Sequence, residues 1–174
     1  MEIKVLVAYA SSYGSTQEIA EVISETLRSK GLAVDLQPIR NVQILKGYSA
    51  VVLGAPLYMF HWHKDALRFL SKYRKILEDN LPIVIFAGGP FDKVDENAWD
   101  EVRTKFDLEL AKFPWLTPVS VKIVGGKFDP AKLRFPYNLI PALKKMPASD
   151  LRDWVAIRAW ASSLAAQFLP DLPQ

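Results

Sequence analysis

The chain contains no cysteine, which excludes disulfides, thiolate metal sites, iron–sulfur clusters and thiol nucleophiles. Histidine is almost as scarce. His61 and His63 are the only two; they could form half of a metal site, but with no cysteine and no evident third ligand a metal is not expected. Gly14-Ser15 lacks the second glycine of a Gly-x-Ser-x-Gly elbow, so serine hydrolysis has no nucleophile turn. No carboxylate pair is placed for glycoside chemistry. Asp92, Asp95 and Glu96 read instead as a loop and a helix start, where acids favour the helix dipole, with Asp95 as the cap. No apolar run approaches the length of a membrane span. Strand-forming residues begin directly after Met1 and leave no secretory signal, so cytoplasmic placement is expected. The net charge is only +3, from 22 basic and 19 acidic residues. With no dense basic stripe, that balance argues against a nucleic-acid partner. Internal repeats and low-complexity linkers are also missing.

What is there is a globular composition. Half of the 174 residues are apolar and 24% are charged, enough for one domain spanning 1–174 with a full core. The organising stretch is Ile3–Leu27. Val5 to Tyr9 form a nearly unbroken apolar run, suited to a central parallel strand covered on both faces. The turn Ser11-Ser12-Tyr13-Gly14-Ser15-Thr16 follows, and Ile19, Ala20, Ile23 and Leu27 then recur at helical spacing. Backbone amides feeding the positive end of a helix make an anion site. This turn has four hydroxyls besides its tyrosine, one glycine and no Lys or Arg. It has neither the Walker lysine of a nucleoside-triphosphate site nor the Gly-x-Gly-x-x-Gly of a dinucleotide crevice. The set suits a phosphate monoester; an ordinary Ser-rich helix cap is the plainer alternative.

Further strands are expected at Leu32–Leu36, Ala50–Gly54, Pro82–Gly88 and Val119–Val124. Helices are expected at His63–Leu77, Glu96–Lys112 and Leu151–Phe168, with a single helical turn at Val42–Leu45. The Pro-rich piece Phe128–Pro147 fits neither period, although Leu139–Lys145 has the makings of a short helix. Five apolar strands separated by helices give an α/β sandwich with a parallel sheet and right-handed crossovers. In such sheets ligands collect beyond the carboxyl ends of the strands. Three loops leave those ends: Ser11–Thr16, Pro56–His63 and Gly88–Asp92. The first can hold a phosphate, the second offers Tyr58, Phe60 and Trp62 as stacking surfaces, and the third offers backbone donors and acceptors at its glycines. Together they suit a flavin, which needs an apolar slot, polar backbone along one ring edge and an anchored tail.

The hydroxyl-rich turn resembles the phosphate-binding loop of the flavodoxins, and the strand–loop–helix order matches along nearly the whole chain. The resemblance implies a flavodoxin-like three-layer sandwich with a five-stranded parallel sheet in order 2-1-3-4-5, and noncovalent FMN. It places Ser11, Ser12, Gly14, Ser15 and Thr16 around the FMN phosphate, with Tyr13 at the variable position. Gly54-Ala55-Pro56-Leu57-Tyr58 resembles the family's first flavin-ring loop, which extends the candidate contacts to Pro56, Leu57, Tyr58, Met59, Phe60 and Trp62. Ala87, Gly88, Gly89, Pro90 and Phe91 fall where the second ring loop belongs. The chain is similar more narrowly to the menaquinone-dependent protoporphyrinogen oxidases of this fold. The shared features are Gly54-Ala55, the segment His61-Trp62-His63, the pair Asp153-Trp154, and an aromatic and basic insertion at about 127–147. Tyr58-Met59-Phe60 departs from that group's Arg-Tyr-Gly.

Three uses follow. One is an FMN oxidoreductase acting on protoporphyrinogen or a related cyclic substrate, with a quinone as acceptor. In that case His61 or His63 is the candidate for ring contact or proton transfer, and Lys127, Arg134, Phe135 and Tyr137 are the candidates for meeting substrate or partner. Another is a carrier between redox proteins, and the third is an interaction module without catalysis. The basic residues and apolar anchors of the insertion also suit peripheral contact with a membrane face, while a helix-bracing role remains the plainer reading of the two histidines.

Overall fold

The computed structural model describes residues 2–89 and 95–169. Its strands are β1 (Lys4–Tyr9), β2 (Ala33–Pro38), β3 (Ala50–Tyr58), β4 (His61–Trp62), β5 (Ile83–Gly88), β6 (Ser120–Val124), β7 (Lys127–Phe128) and β8 (Ser149–Asp150). The helices are α1 (Ser15–Ser29), α2 (Lys64–Lys72), α3 (Arg74–Asp79), α4 (Glu96–Leu110), α5 (Pro141–Lys144) and α6 (Trp154–Phe168). Five parallel strands stand in the order β2-β1-β3-β5-β6, the flavodoxin-like order 2-1-3-4-5 expected from the sequence.

Alternation along β1 divides the core into two layers. Val5 and Val7 pack with Ile19, Ile23 and Leu27 of α1 and with Ile157 and Leu164 of α6. Leu6 and Ala8 face the other way, toward Phe69 and Leu70 of α2 and Val102 and Phe106 of α4. At the edge, β2 is only half-buried along its length. The Asp35 carboxylate holds it, accepting from Lys4 Nζ at 2.8 Å and from the Tyr48 hydroxyl at 2.7 Å. Burial, and then the bond to Asp35, pushes the Tyr48 phenol up to about 12.

Several elements differ from the sequence expectation. Val42–Leu45 forms no helical turn; the turn comes earlier, at Ile39–Asn41, and Val42 is extended. Val42 and Leu45 are buried as anchors of a loop, and the Tyr73 hydroxyl donates to the Val42 carbonyl at 2.9 Å. Tyr73 also divides the helix expected over His63–Leu77, because its ψ of 15° leaves the helical range and separates α2 from α3. The expected loop Pro56–His63 is largely strand. β3 runs on to Tyr58, and the chain doubles back as β4, pairing Tyr58 with His61 and Leu57 with Trp62. This hairpin is local, but its tip Met59-Phe60 carries none of the Asn-Gly or Asp-Gly signal that marks such a turn in a sequence. Of Leu139–Lys145, Leu139 closes a 3-10 turn over Tyr137–Leu139 and Pro141–Lys144 is α-helical.

Gly54 reports how closely the layers meet. A Cβ there would lie 1.8 Å from Phe86 Cζ, and the Phe86 ring is fully buried. Gly54→Ala is therefore expected to cost roughly 1–3 kcal/mol, the usual range for overpacking. Thermal denaturation should show a midpoint several degrees lower, with far-UV circular dichroism of the folded state unchanged.

Candidate functional site

Parallel pairing brings the carboxyl ends of β1, β3 and β5 side by side. Tyr9 stands opposite Gly54, and Pro56 opposite Gly88. The loop after β1 is shaped locally: Ala10 N–H donates to the Gly54 carbonyl and Gly14 N–H to Ser11 Oγ, both at 2.9 Å. Gly14 takes φ 89°, a left-handed value that a side chain would strain. It opens α1 with no side chain accepting from the first turn. The amides of that turn have no intrahelical partners and sit at the positive end of the dipole. Thr16 is 1% exposed and belongs to the same turn. Hydroxyls together with unclaimed amides are a donor set that fits a phosphate dianion.

The other two loops meet this one from the β3 and β5 side. A Cβ on Gly88 would lie 3.4 Å from Thr16 Oγ1 and 3.7 Å from Pro56 Cα, so all three converge there. Gly89 takes φ 141° and backs onto the Leu57 carbonyl, 3.6 Å from where its Cβ would stand. Ala87 is buried in β5, and Pro90 and Phe91 lie outside the described residues. The Tyr58 ring stands edge-on to Tyr13, centroids 6.5 Å apart. Burial raises the Tyr58 phenol above its ordinary value, against a hydrogen bond from Ser12 that lowers it. Met59 and Phe60 form the hairpin tip with φ 48° and 66°. Both are exposed, Met59 at 82%. Two left-handed residues with large side chains hold about 1–2 kcal/mol of backbone strain each, in a turn where Asn-Gly is the relaxed choice.

Trp62 does not offer a stacking surface, contrary to expectation. It is 2% exposed, stands edge-on to Phe106 at 5.3 Å and donates from Nε1 to the Ala55 carbonyl at 3.0 Å. Alternation along β4 turns it into the core.

The two histidines separate. His61 is exposed and lies 3.4 Å from Glu109 Oε1, on the α4 side of the hairpin. His63 is half-buried at the start of α2, where its Nδ1 accepts from Asp65 N–H at 3.1 Å and caps the helix. Glu109, with no signal in the sequence beyond an acid on a helix, is the buried carboxylate that pins this hairpin. It accepts from Lys112 Nζ at 2.6 Å and from Trp62 N–H at 3.3 Å. Burial pushes its carboxyl up, but the bonds from Lys112, Trp62 and His61 outweigh this and hold it below the ordinary range.

The insertion grows from a two-stranded stem in which Lys127 pairs with Asp150 and Phe128 with Ser149. It returns beside the phosphate loop. A cavity of about 460 Å³ has Ser11, Ser12 and Tyr13 on one side and Arg134, Phe135 and Tyr137 on the other. Arg134 Cζ stands 5.9 Å from the centre of the Tyr13 ring. Lys127 stays in the stem, apart from that cavity. Arg152 ties the stem to α1 from a nearly buried position, its side chain 3% exposed. Its guanidinium donates to Glu18 at 2.6 Å, to Asp150 at 2.8 Å and to the Ser15 carbonyl at 3.3 Å. Spacing could not reveal this clamp, because Arg152 and Glu18 are 134 positions apart.

Burial lowers the His63 imidazole below its ordinary value, against the opposing pull of Asp65. The folded state therefore binds the proton less readily than the unfolded state does. Stability from this group is complete above the unfolded value of about 6.5 and falls as pH drops toward the folded value. Protonation at Nδ1 also removes the acceptor that caps α2. The urea midpoint should fall between pH 7.5 and pH 5.5, and His63→Asn, which keeps a capping acceptor, should flatten that part of the profile.

Residues 6–147 match the family described as Flavodoxin domain. The chain is 22% identical to the protoporphyrinogen IX dehydrogenase (quinone) of Escherichia coli K12 over 180 aligned residues, covering 98% of each. Among solved structures, a flavodoxin from the domain Archaea superposes with a TM-score of 0.57 at 15% identity, over 95% of this chain and 99% of that one. Oxidised Flavodoxin 1 from Bacillus cereus gives 0.56 at 17%, over 98% and 99%. The strand order, the hydroxyl-rich turn into an uncapped helix and the matched family model agree, and the chain belongs to the flavodoxin-domain family.

Proposed function

We propose that this protein binds FMN and passes electrons between redox partners, as a flavodoxin-type carrier working in the cytoplasm as one domain over 1–174. The observation that carries this reading is the uncapped first turn of α1 opening at Gly14, with buried Thr16 beside it and Gly88 and Pro56 converging on the same point. Ser11, Ser12, Gly14, Ser15 and Thr16 would hold the phosphate, with Tyr13 alongside. The ring would lie between Pro56–Phe60 on one side and Ala87–Gly89 on the other, with Pro90 and Phe91 following in sequence. FMN, when bound, supplies one- and two-electron redox chemistry. The residues of the chain orient the group and limit water around it. Arg152, its charge answered by Glu18 and Asp150, would brace the loop through its bond to the Ser15 carbonyl.

A second reading is supported by a different observation, the placing of Arg134, Phe135 and Tyr137 against the phosphate loop. The relative of matching length from E. coli is named for protoporphyrinogen and quinone. On this reading the protein is an FMN-dependent oxidoreductase of a porphyrinogen or a related cyclic substrate, with a quinone as electron acceptor. Arg134, Phe135 and Tyr137 would meet the substrate, Lys127 would support their stem, and His63, which lines the same cavity, would be the candidate histidine. His61 is held off by Glu109. The insertion would then rest at the inner face of the membrane where quinone resides, since Lys132, Arg134, Lys144 and Lys145 accompany exposed Phe135, Leu139 and Ile140.

Purified protein is expected to be yellow and to release FMN rather than FAD on denaturation. Protein that stays colourless after incubation with excess FMN would overturn both readings. Ser11→Ala and Thr16→Ala each remove a hydroxyl partner at the phosphate. At roughly 1–3 kcal/mol per charge-assisted bond, FMN affinity should fall about tenfold or more per site. Replacing residues 132–145 by a short Gly/Ser linker separates the two uses. Rapid exchange with a flavoprotein reductase that survives the deletion marks a carrier. Turnover of protoporphyrinogen with a menaquinone analogue, present in the intact protein and lost on deletion with FMN retained, marks the oxidoreductase.

A further inference from the structure

We propose that the cavity beyond the ends of β1 and β2 is a second ligand site, distinct from the flavin site, for a flat aromatic or conjugated molecule carrying a carboxylate or sulfonate. The cavity, about 460 Å³, is of the size that takes small organic ligands. Its floor is the end of β1 at Tyr9 and Ala10 and the exit of β2 at Pro38 and Ile39. Phe135 and Tyr137 of the insertion lie across it. Tyr9, Ile39, Phe135 and Tyr137 supply aromatic and apolar surface for a planar body, among polar groups from Ser11, Ser12, Gln17, Arg40 and Asp65.

Charge sets the class of ligand. Arg40 also lines the cavity, but its guanidinium lies 3.6 Å from the Asp65 carboxylate and its charge is answered there. Arg134 has no carboxylate within ion-pair distance among the described residues. It stands instead over the Tyr13 ring. A single unanswered guanidinium on an aromatic wall favours an anionic group at one end of an apolar molecule.

The same geometry separates this site from the flavin. The ring loops Pro56–Phe60 and Ala87–Gly89 do not line the cavity, and neither do Gly14, Ser15 and Thr16, which form the mouth of α1. Only Ser11, Ser12 and Tyr13 belong to both places, so the cavity stands on the β2 side of the loop while Thr16 meets Gly88 on the β5 side. A ligand here would touch Tyr13, whose ring in turn meets Tyr58 of the hairpin. The site thus neighbours the proposed cofactor through Tyr13, and on the oxidoreductase reading it is where Arg134, Phe135 and Tyr137 would meet the substrate; its existence does not require that cofactor.

The test is equilibrium dialysis with 8-anilino-1-naphthalenesulfonate and with its uncharged relative N-phenyl-1-naphthylamine, on the full chain with and without saturating FMN. One sulfonate probe per chain is expected, bound about tenfold or more tightly than the neutral probe, which is the worth of one charge-assisted contact. Arg134→Gln should erase that preference and leave the neutral probe within about twofold, since that probe has no charge-assisted contact to lose. Arg134→Lys should restore part of it. Gln17→Trp, which places an indole at the wall of the cavity from the exposed side of α1, should weaken both probes while far-UV circular dichroism stays unchanged. Displacement of the probe by FMN, one for one, would overturn the proposal by making the cavity part of the flavin site. Binding indifferent to both Arg134→Gln and Gln17→Trp would overturn it by placing the probes on the exposed apolar surface. A protein that never takes up FMN would defeat the cofactor reading alone, because the dialysis in its absence still reads the cavity.

Discussion

Helix α1 begins at Gly14 with no side chain to satisfy its first turn. Amides left open at the positive end of a helix are donors without an intrahelical partner, and an anion is a partner that suits them. The surrounding structure keeps that turn in place. The loop is tied to β3 by the bond from Ala10 to Gly54, and Gly54 itself is fixed by the close approach of the Phe86 ring. The Arg152 guanidinium closes the far side by joining the Ser15 carbonyl to Glu18 and to the stem of the insertion. Loss of the glycine, the strand register or the clamp would therefore be felt at the same few amides.

The parts legible from sequence are those governed by local pattern. Apolar runs at Val5–Tyr9 and Ala50–Gly54 announced central strands, and the helical spacing of Ile19, Ile23 and Leu27 gave the packed face of α1. Asp95 caps α4 as expected, accepting from Ala98 N–H at 2.9 Å. Once those strands are parallel, the convergence of their exit loops follows from register. The features that escaped are held by partners distant in sequence. The β3–β4 hairpin depends on pairing and on a carboxylate 47 positions away at Glu109. Trp62 looked like a loop aromatic because nothing local says that Phe106 and the Ala55 carbonyl are waiting for it.

His63 shows the limit of residue chemistry without geometry. Two histidines two positions apart in an extended segment point to the same side, and the sequence allowed both a chemical and a structural role for each. The turn after β4 breaks that equivalence. One ring becomes the cap of α2, and the other reaches an acid on α4. Both are thereby tied to structure, and only His63 keeps a face toward the cavity.

Strain and anchorage at the hairpin belong together. The tip residues Met59 and Phe60 sit in left-handed backbone that they would leave if free. The pairing of Tyr58 with His61 and of Leu57 with Trp62, the indole locked in the core, and Glu109 beneath the turn keep them there. Strain of this kind persists only where surrounding contacts over-determine it. Its result is that two large side chains stand exposed beside Tyr58, at the border of the phosphate loop, and not folded back over it. A relaxed Asn-Gly turn would satisfy the hairpin equally well and present nothing. The exposure of Met59 and Phe60 thus follows from the anchorage of the hairpin and runs against the backbone preference of the two residues themselves.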